Sequence, residues 1–160
     1  MTKKESEHKE MTLQQVLQKL TALCARSEHC QQEMLDKMRR WEVADSVQAE
    51  AMAYLIREKY VDDARYARFF INDKVKYNKW GRRKVEQALR MKHIDESISR
   101  PLLDEIMSAE NYLEILVPLL ISKRRTVKFS SDYELRMKLI RFALQRGFTM
   151  DVIEQALGKI

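Results

Sequence analysis

Apolar residues recur three and four positions apart along almost the whole chain, between short polar breaks. The pattern begins at residues 13–24, resumes at 34–41 and 47–55, and continues in the same way towards the last residues. This spacing places the apolar side chains on one face of each segment when the segment is helical. The pattern therefore predicts an all-α protein built from amphipathic helices.

Six apolar positions of this pattern recur three times, at offsets of 51 and 54 residues. The six triples are Met34, Val85 and Leu139; Met38, Leu89 and Ala143; Val43, Ile94 and Phe148; Val47, Ile98 and Val152; Ala51, Leu102 and Ala156; and Met52, Leu103 and Leu157. Units of this size carry too little apolar surface to fold alone and stack on their neighbours. We therefore predict three tandem three-helix repeats, at residues 12–59, 60–108 and 109–160, stacked into an elongated, curved protein. Residues 1–11 are polar and unpatterned, which predicts a disordered N-terminal tail.

Capping residues mark several helix boundaries. Thr12 with Gln15, and Ser131 with Glu134, have the spacing of a capping box, in which each side chain accepts a hydrogen bond from the backbone N–H of the other residue. Gly147 follows the last periodic positions of one helix. We predict that Gly147 adopts the left-handed conformation that ends such a helix.

The composition is that of a folded helical chain with a basic excess. Hydrophobic residues make up 45% and charged residues 34% of the sequence, which argues against disorder of the bulk of the chain. The 3 glycines and 2 prolines are too few for a turn-rich β-protein. Thirty Lys and Arg residues against 24 Asp and Glu give a net charge of +6. Such a balance suits an acidic partner, which is a nucleic acid, an anionic membrane or an acidic protein surface.

The basic excess is concentrated in one segment. Residues 74–92 carry eight Lys and Arg side chains against the single acid Glu86, with Tyr77 and Trp80 among them. This clustering favours a contact surface for an anionic partner over a merely solvated helix face. Trp80 fits either a core position or a platform on which a partner's ring could stack. The candidate partner-binding residues are Arg68, Lys76, Lys79, Arg82, Arg83 and Lys84, with a second cluster at Lys123, Arg124 and Arg125. The second cluster fits partner contact and complementation of a helix dipole equally well.

Catalytic and metal-binding chemistry is poorly represented. Asp62, Asp63 and Arg65 are interpreted as structural, because adjacent acids cap a helix start and Arg65 can pair with an acid of a neighbouring helix. The sequence carries no phosphate-binding glycine loop and no nucleophile or zinc motif. Its histidines and cysteines match no paired-ligand spacing. We predict a non-enzymatic protein with no catalytic residues, no metal and no cofactor.

The ends of the chain and its cysteines indicate a compartment. The N-terminal residues are polar and lack the apolar segment of a signal peptide. The most apolar run, residues 112–121, is too short to span a bilayer. Cys24 and Cys30 would lie on opposed faces of a shared helix, which disfavours a disulfide and fits a reducing environment. We predict a monomeric cytoplasmic protein that makes no membrane contact.

Several motifs occur in an order that is more specific than any one of them. Residues 60–67 read YVDDARYA, with two adjacent acids followed by Arg, an aromatic residue and Ala. Gly81 opens the next segment, which ends in KHI at residues 92–94, and the last third of the chain carries LIRF at 139–142 and RGF at 146–148. In this order and spacing the sequence resembles the RecX family, the bacterial regulators of the RecA recombinase, over nearly the whole chain.

The sequence departs from the family pattern at two helix ends. Glu42 and His93 stand where the family commonly has a helix-ending Gly. A residue with a Cβ atom adopts the left-handed conformation at some cost. We therefore expect these two turns to differ from the glycine-containing turn.

The resemblance implies a function that the spacing of residues alone does not show. RecX proteins bind RecA and restrain it, lying in the helical groove of the RecA–DNA filament. The chain is therefore expected to inhibit or modulate the recombinase and ATPase activities of RecA and to regulate DNA repair, recombination and the SOS response. Its candidate basic residues would contact RecA or DNA phosphate. The alternative is a basic helical module that binds single-stranded DNA directly, without RecA.

Overall fold

The computed structural model describes residues 10–160, which form nine helices and no strand. The helices are α1 (Leu13–Arg26), α2 (Gln31–Arg40), α3 (Asp45–Arg57), α4 (Asp63–Lys76), α5 (Arg82–Met91), α6 (Glu96–Ile106), α7 (Ala109–Thr126), α8 (Asp132–Gln145) and α9 (Met150–Leu157). The all-α prediction is confirmed. Residues 1–9 of the predicted tail lie outside the described residues.

The chain divides into two compact units, of which the first ends at Tyr66 and the second begins at Ala67. In the first unit α1 and α2 pack against α3, and in the second α7 packs against α8 and α9 while α5 packs against α6. The core of the first unit consists of Val16, Leu20, Met34, Met38, Val43, Ala51, Met52, Leu55 and Val61. Full burial of one such large side chain stabilises a fold by about 1.5–3 kcal/mol, so these contacts provide most of the favourable free energy of the unit.

The apolar triples correspond to buried positions. In the first three triples all nine side chains are buried, and each of the other three triples has at least one buried member. The periodicity of the sequence therefore identified side chains that hold the helices together. The tandem three-helix pattern is confirmed in this respect.

The turn after the second helix of each three-helix repeat has a residue with positive φ and the same backbone hydrogen bond. Glu42, His93 and Gly147 occupy it with φ angles of 56°, 55° and 94°. In each turn the next N–H donates to the carbonyl of the fifth residue before it, namely Val43 to Met38 at 3.0 Å, Ile94 to Leu89 at 3.1 Å and Phe148 to Ala143 at 3.1 Å. This is the long hydrogen bond of the Schellman motif. The left-handed conformation of Gly147 is confirmed, and the expected difference at Glu42 and His93 is wrong because both residues adopt the same hydrogen-bonded turn.

The acids at the start of α4 have structural partners in the first unit. Asp62 Oδ1 accepts from the N–H of Arg65 at 3.0 Å, which caps α4. Asp63 Oδ1 accepts from the N–H of Gln31 at 2.9 Å, so this carboxylate caps α2 instead of its own helix. Arg65 Nε lies 2.6 Å from Glu28 Oε1, in the link between α1 and α2. The structural interpretation of this motif is confirmed by these contacts.

The two predicted capping boxes have different outcomes. Thr12 Oγ1 accepts from the N–H of Gln15 and Gln15 Oε1 accepts from the N–H of Thr12, which confirms the first box. At the second, Ser131 Oγ accepts from the N–H of Glu134 at 3.1 Å, but the Glu134 carboxylate accepts from Ser130 instead. Ser130 offers this carboxylate both its N–H, at 3.0 Å, and its hydroxyl, at 2.6 Å. Two donors from Ser130 replace the one that the predicted box required.

The Glu134 contacts predict a loss of stability in acid. The hydrogen bond from Ser130, followed by contact with Lys138, lowers the pKa of Glu134 from 4.5 to about 2. Because folding favours the ionised carboxylate, its contribution is present above pH 4.5 and is lost as the pH falls towards 2. We expect Glu134→Gln to lower the Tm at pH 7 and to have a smaller effect at pH 2.5, as followed by circular dichroism. An equal effect at both pH values would contradict this assignment.

Candidate partner-binding surface

The link between α4 and α5 carries most of the predicted partner-binding residues. α4 ends at Lys76 and α5 begins at Arg82, so the chain reverses within a short segment. Lys79 contributes to the reversal with a positive φ of 56°. We refer to residues 76–84 as the basic link. It presents Lys76, Lys79, Arg82, Arg83 and Lys84 within one turn and the first turn of a helix.

Backbone hydrogen bonds hold the basic link against the turn between α8 and α9. The N–H of Gly81 donates to the carbonyl of Arg146 at 2.7 Å, and the N–H of Arg83 donates to the carbonyl of Gly147 at 3.0 Å. A Cβ atom on Gly81 would lie 2.3 Å from the backbone nitrogen of Phe148. Only glycine permits this approach without movement of the backbone. The cations that follow Gly81 are therefore carried on an anchored segment.

The two aromatic residues of the basic link are in different environments. The half-buried ring of Trp80 has the Nζ atoms of Lys74 and Lys84 at 5.2 Å and 4.7 Å from its centroid. Both distances are within the range of cation–π attraction, so Trp80 is neither a fully buried core residue nor a bare stacking platform. Tyr77 is 72% exposed, with Lys76 Nζ 5.4 Å from its ring centroid. A partner can therefore reach the Tyr77 ring directly.

Arg146 connects the basic link to the second predicted cluster. Its Nη1 atom donates to the carbonyl of Asn78 at 3.0 Å, and its guanidinium carbon lies 4.9 Å from the centroid of Phe142. Lys123 Nζ lies 5.1 Å from the same centroid. A continuous chain of contacts thus runs from the basic link to Lys123. Helical periodicity gives no sign that Arg146 belongs to the site, because its bond to Asn78 joins positions 68 residues apart.

Arg68 and Arg82 are engaged by carboxylates of α5 and α6. Arg68 makes a bidentate pair with Glu105, with both nitrogen–oxygen distances at 3.1 Å. Hydrogen bonding within this pair raises the pKa of Arg68 and lowers that of Glu105. Arg82 Nε lies 2.7 Å from Glu86 Oε1, and Arg82 Nη1 lies 2.7 Å from Asp104 Oδ1. A partner would meet these two arginines with their charge already compensated.

Within the part of the chain that the structure describes, the other candidate cations of the basic link lack such carboxylate partners. The ion pairs found within residues 10–160 include none of Lys76, Lys79, Arg83 and Lys84. Arg124 and Arg125 are exposed in the last turn of α7, next to Lys123. Uncompensated charge is thus present at the basic link and at the end of α7.

A second basic surface lies where the end of α7 faces α8. It is a shallow groove of about 360 Å³, and its lining includes Lys123, Lys128, Lys138, Arg141 and Phe142. Lys138 Nζ donates to the carbonyl of Lys128 at 2.6 Å and lies 3.0 Å from Glu134 Oε1, so this cation is already engaged. The groove continues the positive surface beyond Phe142.

The Arg82 contacts predict a modest, salt-dependent contribution to stability. Its side chain is 28% exposed, but Asp104 is 62% exposed, so solvent screens part of the attraction. We expect Arg82→Gln to lower the free energy of unfolding by about 1 kcal/mol or less, and the effect to shrink in concentrated salt. Urea unfolding in low and high NaCl measures this effect. A loss that salt does not change would show that packing, not charge, is responsible.

Residues 10–160 contain neither a candidate metal site nor a candidate membrane-spanning helix. Across residues 10–160, no three His, Cys, Asp or Glu side chains are grouped so as to hold a metal ion. None of the helices formed by these residues is long and apolar enough to cross a membrane.

Two family models match the chain. Residues 62–100 match the second three-helix domain of RecX, and residues 110–157 match the third three-helix domain of RecX. The two matched segments together cover more than half of the chain. Both Gly81 and Arg146, the residues that join the basic link to the α8–α9 turn, lie within them.

Individual relatives extend the similarity to the first helices. The chain is 30% identical to the regulatory protein RecX of Acinetobacter baylyi, over 87% of this chain and 84% of that protein. It is 28% identical to the regulatory protein RecX of Finegoldia magna, over 80% of this chain but only 63% of that protein's length. The crystal structure of RecX from Lactobacillus salivarius has the same fold, with a TM-score of 0.84 at 18% identity, covering 92% of this chain and 95% of that one.

Proposed function

Because the chain belongs to the RecX family, we propose that it binds the RecA recombinase in the groove of the RecA–DNA filament and inhibits or modulates RecA's recombinase and ATPase activities. In this role it is a non-enzymatic regulator of DNA repair and recombination that acts in the cytoplasm. The observation that carries the proposal is the basic link, an anchored group of cations inside a segment that matches a RecX domain. All of these cations except Arg82 are without an ion-pair partner within residues 10–160.

The geometry of the basic link supports electrostatic docking. Its anchoring at Gly81 and Arg83 means that little conformational freedom is lost when the cations bind. Arginine can pair with carboxylate or phosphate through two parallel hydrogen bonds, and Arg83 is exposed to do so. Lys123, Arg124 and Arg125 extend the proposed contact along the end of α7, through Phe142 and Arg146. Docking of this kind raises the association rate and is weakened by salt.

One observation favours the alternative, direct binding of single-stranded DNA. Tyr77 is exposed and lies beside Lys76, and an aromatic ring next to cations is the usual arrangement for stacking a base while binding phosphate. The Tyr77 ring is compatible with both functions, since a filament groove also exposes DNA. The difference between them lies in whether RecA increases the affinity.

Comparing affinities with and without RecA tests the proposal. The labelled chain is titrated with RecA filaments on oligothymidylate and with the same oligonucleotide alone, in about 0.15 M salt, where charges more than about 8 Å apart are screened. We expect filaments to bind at least about ten-fold more tightly, a difference of about 1.4 kcal/mol. Equal or tighter binding to the bare oligonucleotide would favour the alternative.

A further inference from the structure

Helix α8 has a second apolar face, most of which is exposed. Leu135, Leu139 and Ala143 face the interior, and Leu139 and Ala143 are buried. On the other side, Tyr133, Met137, Ile140 and Leu144 fall within about 60° of one another at 100° per residue. Three of these four are exposed, at 73% for Tyr133, 38% for Met137 and 41% for Leu144. We refer to these four residues as the α8 stripe.

Arginines border the α8 stripe on both sides. Arg136 precedes it by about 40° around the helix axis, and Arg141 follows it by about the same angle. Both are exposed. On the Arg141 side, Glu134 is already engaged by Lys138 and Ser130. On the Arg136 side, Asp132 lies in the first turn, where its carboxylate faces the positive end of the helix dipole.

We propose that the α8 stripe is a docking surface for a protein segment whose apolar side chains are bordered by carboxylates. The inference rests on the proposed function, because the partner that supplies this segment is a RecA protomer. The exposed side chains of the stripe are one aromatic and two aliphatic residues, and arginines lie at its rim. Residues of these types are enriched where the binding energy of protein interfaces is concentrated. Only Tyr133 of the stripe is an aromatic residue on which a DNA base could stack, whereas Met137, Ile140 and Leu144 offer aliphatic surface of the kind that a protein segment buries.

A second copy of the chain fits the α8 stripe poorly. In a two-fold contact the same patch meets itself, with the two helices antiparallel about the centre of the stripe. That arrangement places Arg136 beside Arg136 of the other copy on one side of the contact, and Arg141 beside Arg141 of the other copy on the opposite side. Like charges in such positions disfavour the pairing, whereas carboxylates on a different partner are attracted by them.

The α8 stripe is separate from the basic link. Phe142, which lies between Lys123 and Arg146, projects from α8 on the side opposite Tyr133 and Leu144. Substitutions in the stripe therefore leave the contacts of Phe142 in place. This separation allows contact with RecA protein to be distinguished from contact with DNA.

Matched substitutions test the proposal. Met137→Asp places a carboxylate in the stripe, and Ile56→Asp makes a comparable change in α3 of the first unit, where the side chain is 42% exposed and outside the basic segments. Arg136→Glu with Arg141→Glu reverses the rim, and Arg39→Glu with Arg40→Glu is the control of equal charge in the first unit. For each variant, affinities for RecA filaments and for bare oligothymidylate are measured, with circular dichroism to confirm folding.

We expect both stripe variants to bind RecA filaments about ten-fold or more weakly than the wild-type chain, since loss of a central interface contact commonly costs this much. The filament affinities of the control variants should stay within about two-fold of the wild-type value. The affinities of all variants for bare oligothymidylate should differ only as far as their net charges differ. Equal filament affinity for Met137→Asp and Ile56→Asp would overturn the inference and leave the proposed function standing. A wild-type dimer that Met137→Asp dissociates would also overturn it, because the stripe would then serve a second copy. If the wild-type chain itself does not bind filaments, both the inference and the proposed function fail.

Discussion

Gly147→Ala is expected to lower the free energy of unfolding by about 3 kcal/mol or more, and the Tm by about 10 °C or more. Gly147 has φ of 94°, beyond the left-handed values of 55° and 56° that His93 and Glu42 adopt. In addition, a Cβ atom on Gly147 would lie 2.5 Å from Lys84 Cβ and 2.6 Å from Lys84 nitrogen. The substitution therefore adds backbone strain and a collision at the position where the basic link is anchored. Thermal unfolding followed by circular dichroism measures the effect.

The other two glycines provide matched controls. Gly81→Ala tests close approach alone, because Gly81 has an extended backbone that any residue can adopt but its Cβ would collide with the backbone of residues 147 and 148. Gly158→Ala tests neither effect, since its backbone is helical and its nearest contact would be at 3.5 Å. We expect a large loss for Gly81→Ala and a change of less than about 1 kcal/mol for Gly158→Ala. If all three variants behave alike, the anchoring of the basic link is wrong.

Reversing two charges of the basic link is expected to weaken binding to RecA filaments by roughly 100-fold at low salt, about ten-fold for each charge. Lys79→Glu with Arg83→Glu changes two exposed cations that have no ion-pair partner among residues 10–160. Neither side chain supports the core, so the variant should remain folded. Its deficit should diminish as salt is raised, because the lost attraction is screened. Fluorescence anisotropy over a salt series measures both the deficit and its salt dependence.

Arg39→Glu with Arg40→Glu is the matched control for this prediction. These exposed residues end α2 in the first unit, and the pair makes the same change in net charge. A local docking surface predicts a loss of less than about three-fold for the control at physiological salt. Similar losses for the two variants would show that overall charge, and not the basic link, governs binding. Arg68→Ala should resemble the control, because Glu105 already compensates Arg68.

The repetitive part of this fold could be predicted from the sequence because it depends on local spacing. Residues such as Met34, Val85 and Leu139 recur at fixed offsets, and each is buried. The turn that contains Gly147 was also predictable, because its hydrogen bonds join residues only a few positions apart. The turns at Glu42 and His93 were expected to differ, because a residue with a Cβ atom adopts the left-handed backbone conformation at some energetic cost. That expectation did not take into account the buried hydrophobic residue that follows each of them.

The candidate surface depends on contacts that spacing does not report. The sequence indicated a cluster of cations but could not show that Arg68 and Arg82 are paired with acids of other helices. The approach of Gly81 to Gly147 and the bond from Arg146 to Asn78 join distant parts of the chain. Trp80 was open between core and stacking platform, because its two lysine neighbours become visible only when the link is folded. The role of the basic residues as partner contacts remains a proposal.

If the chain acts on the RecA filament, the DNA-dependent ATP hydrolysis of RecA should respond to it. The chain is titrated into RecA on single-stranded DNA, and its binding to the same DNA without RecA is measured in the same buffer. We predict that hydrolysis falls at concentrations well below those that coat bare DNA. Hydrolysis that is unchanged at stoichiometric concentration, or that falls only once bare DNA is saturated, would contradict docking on the filament.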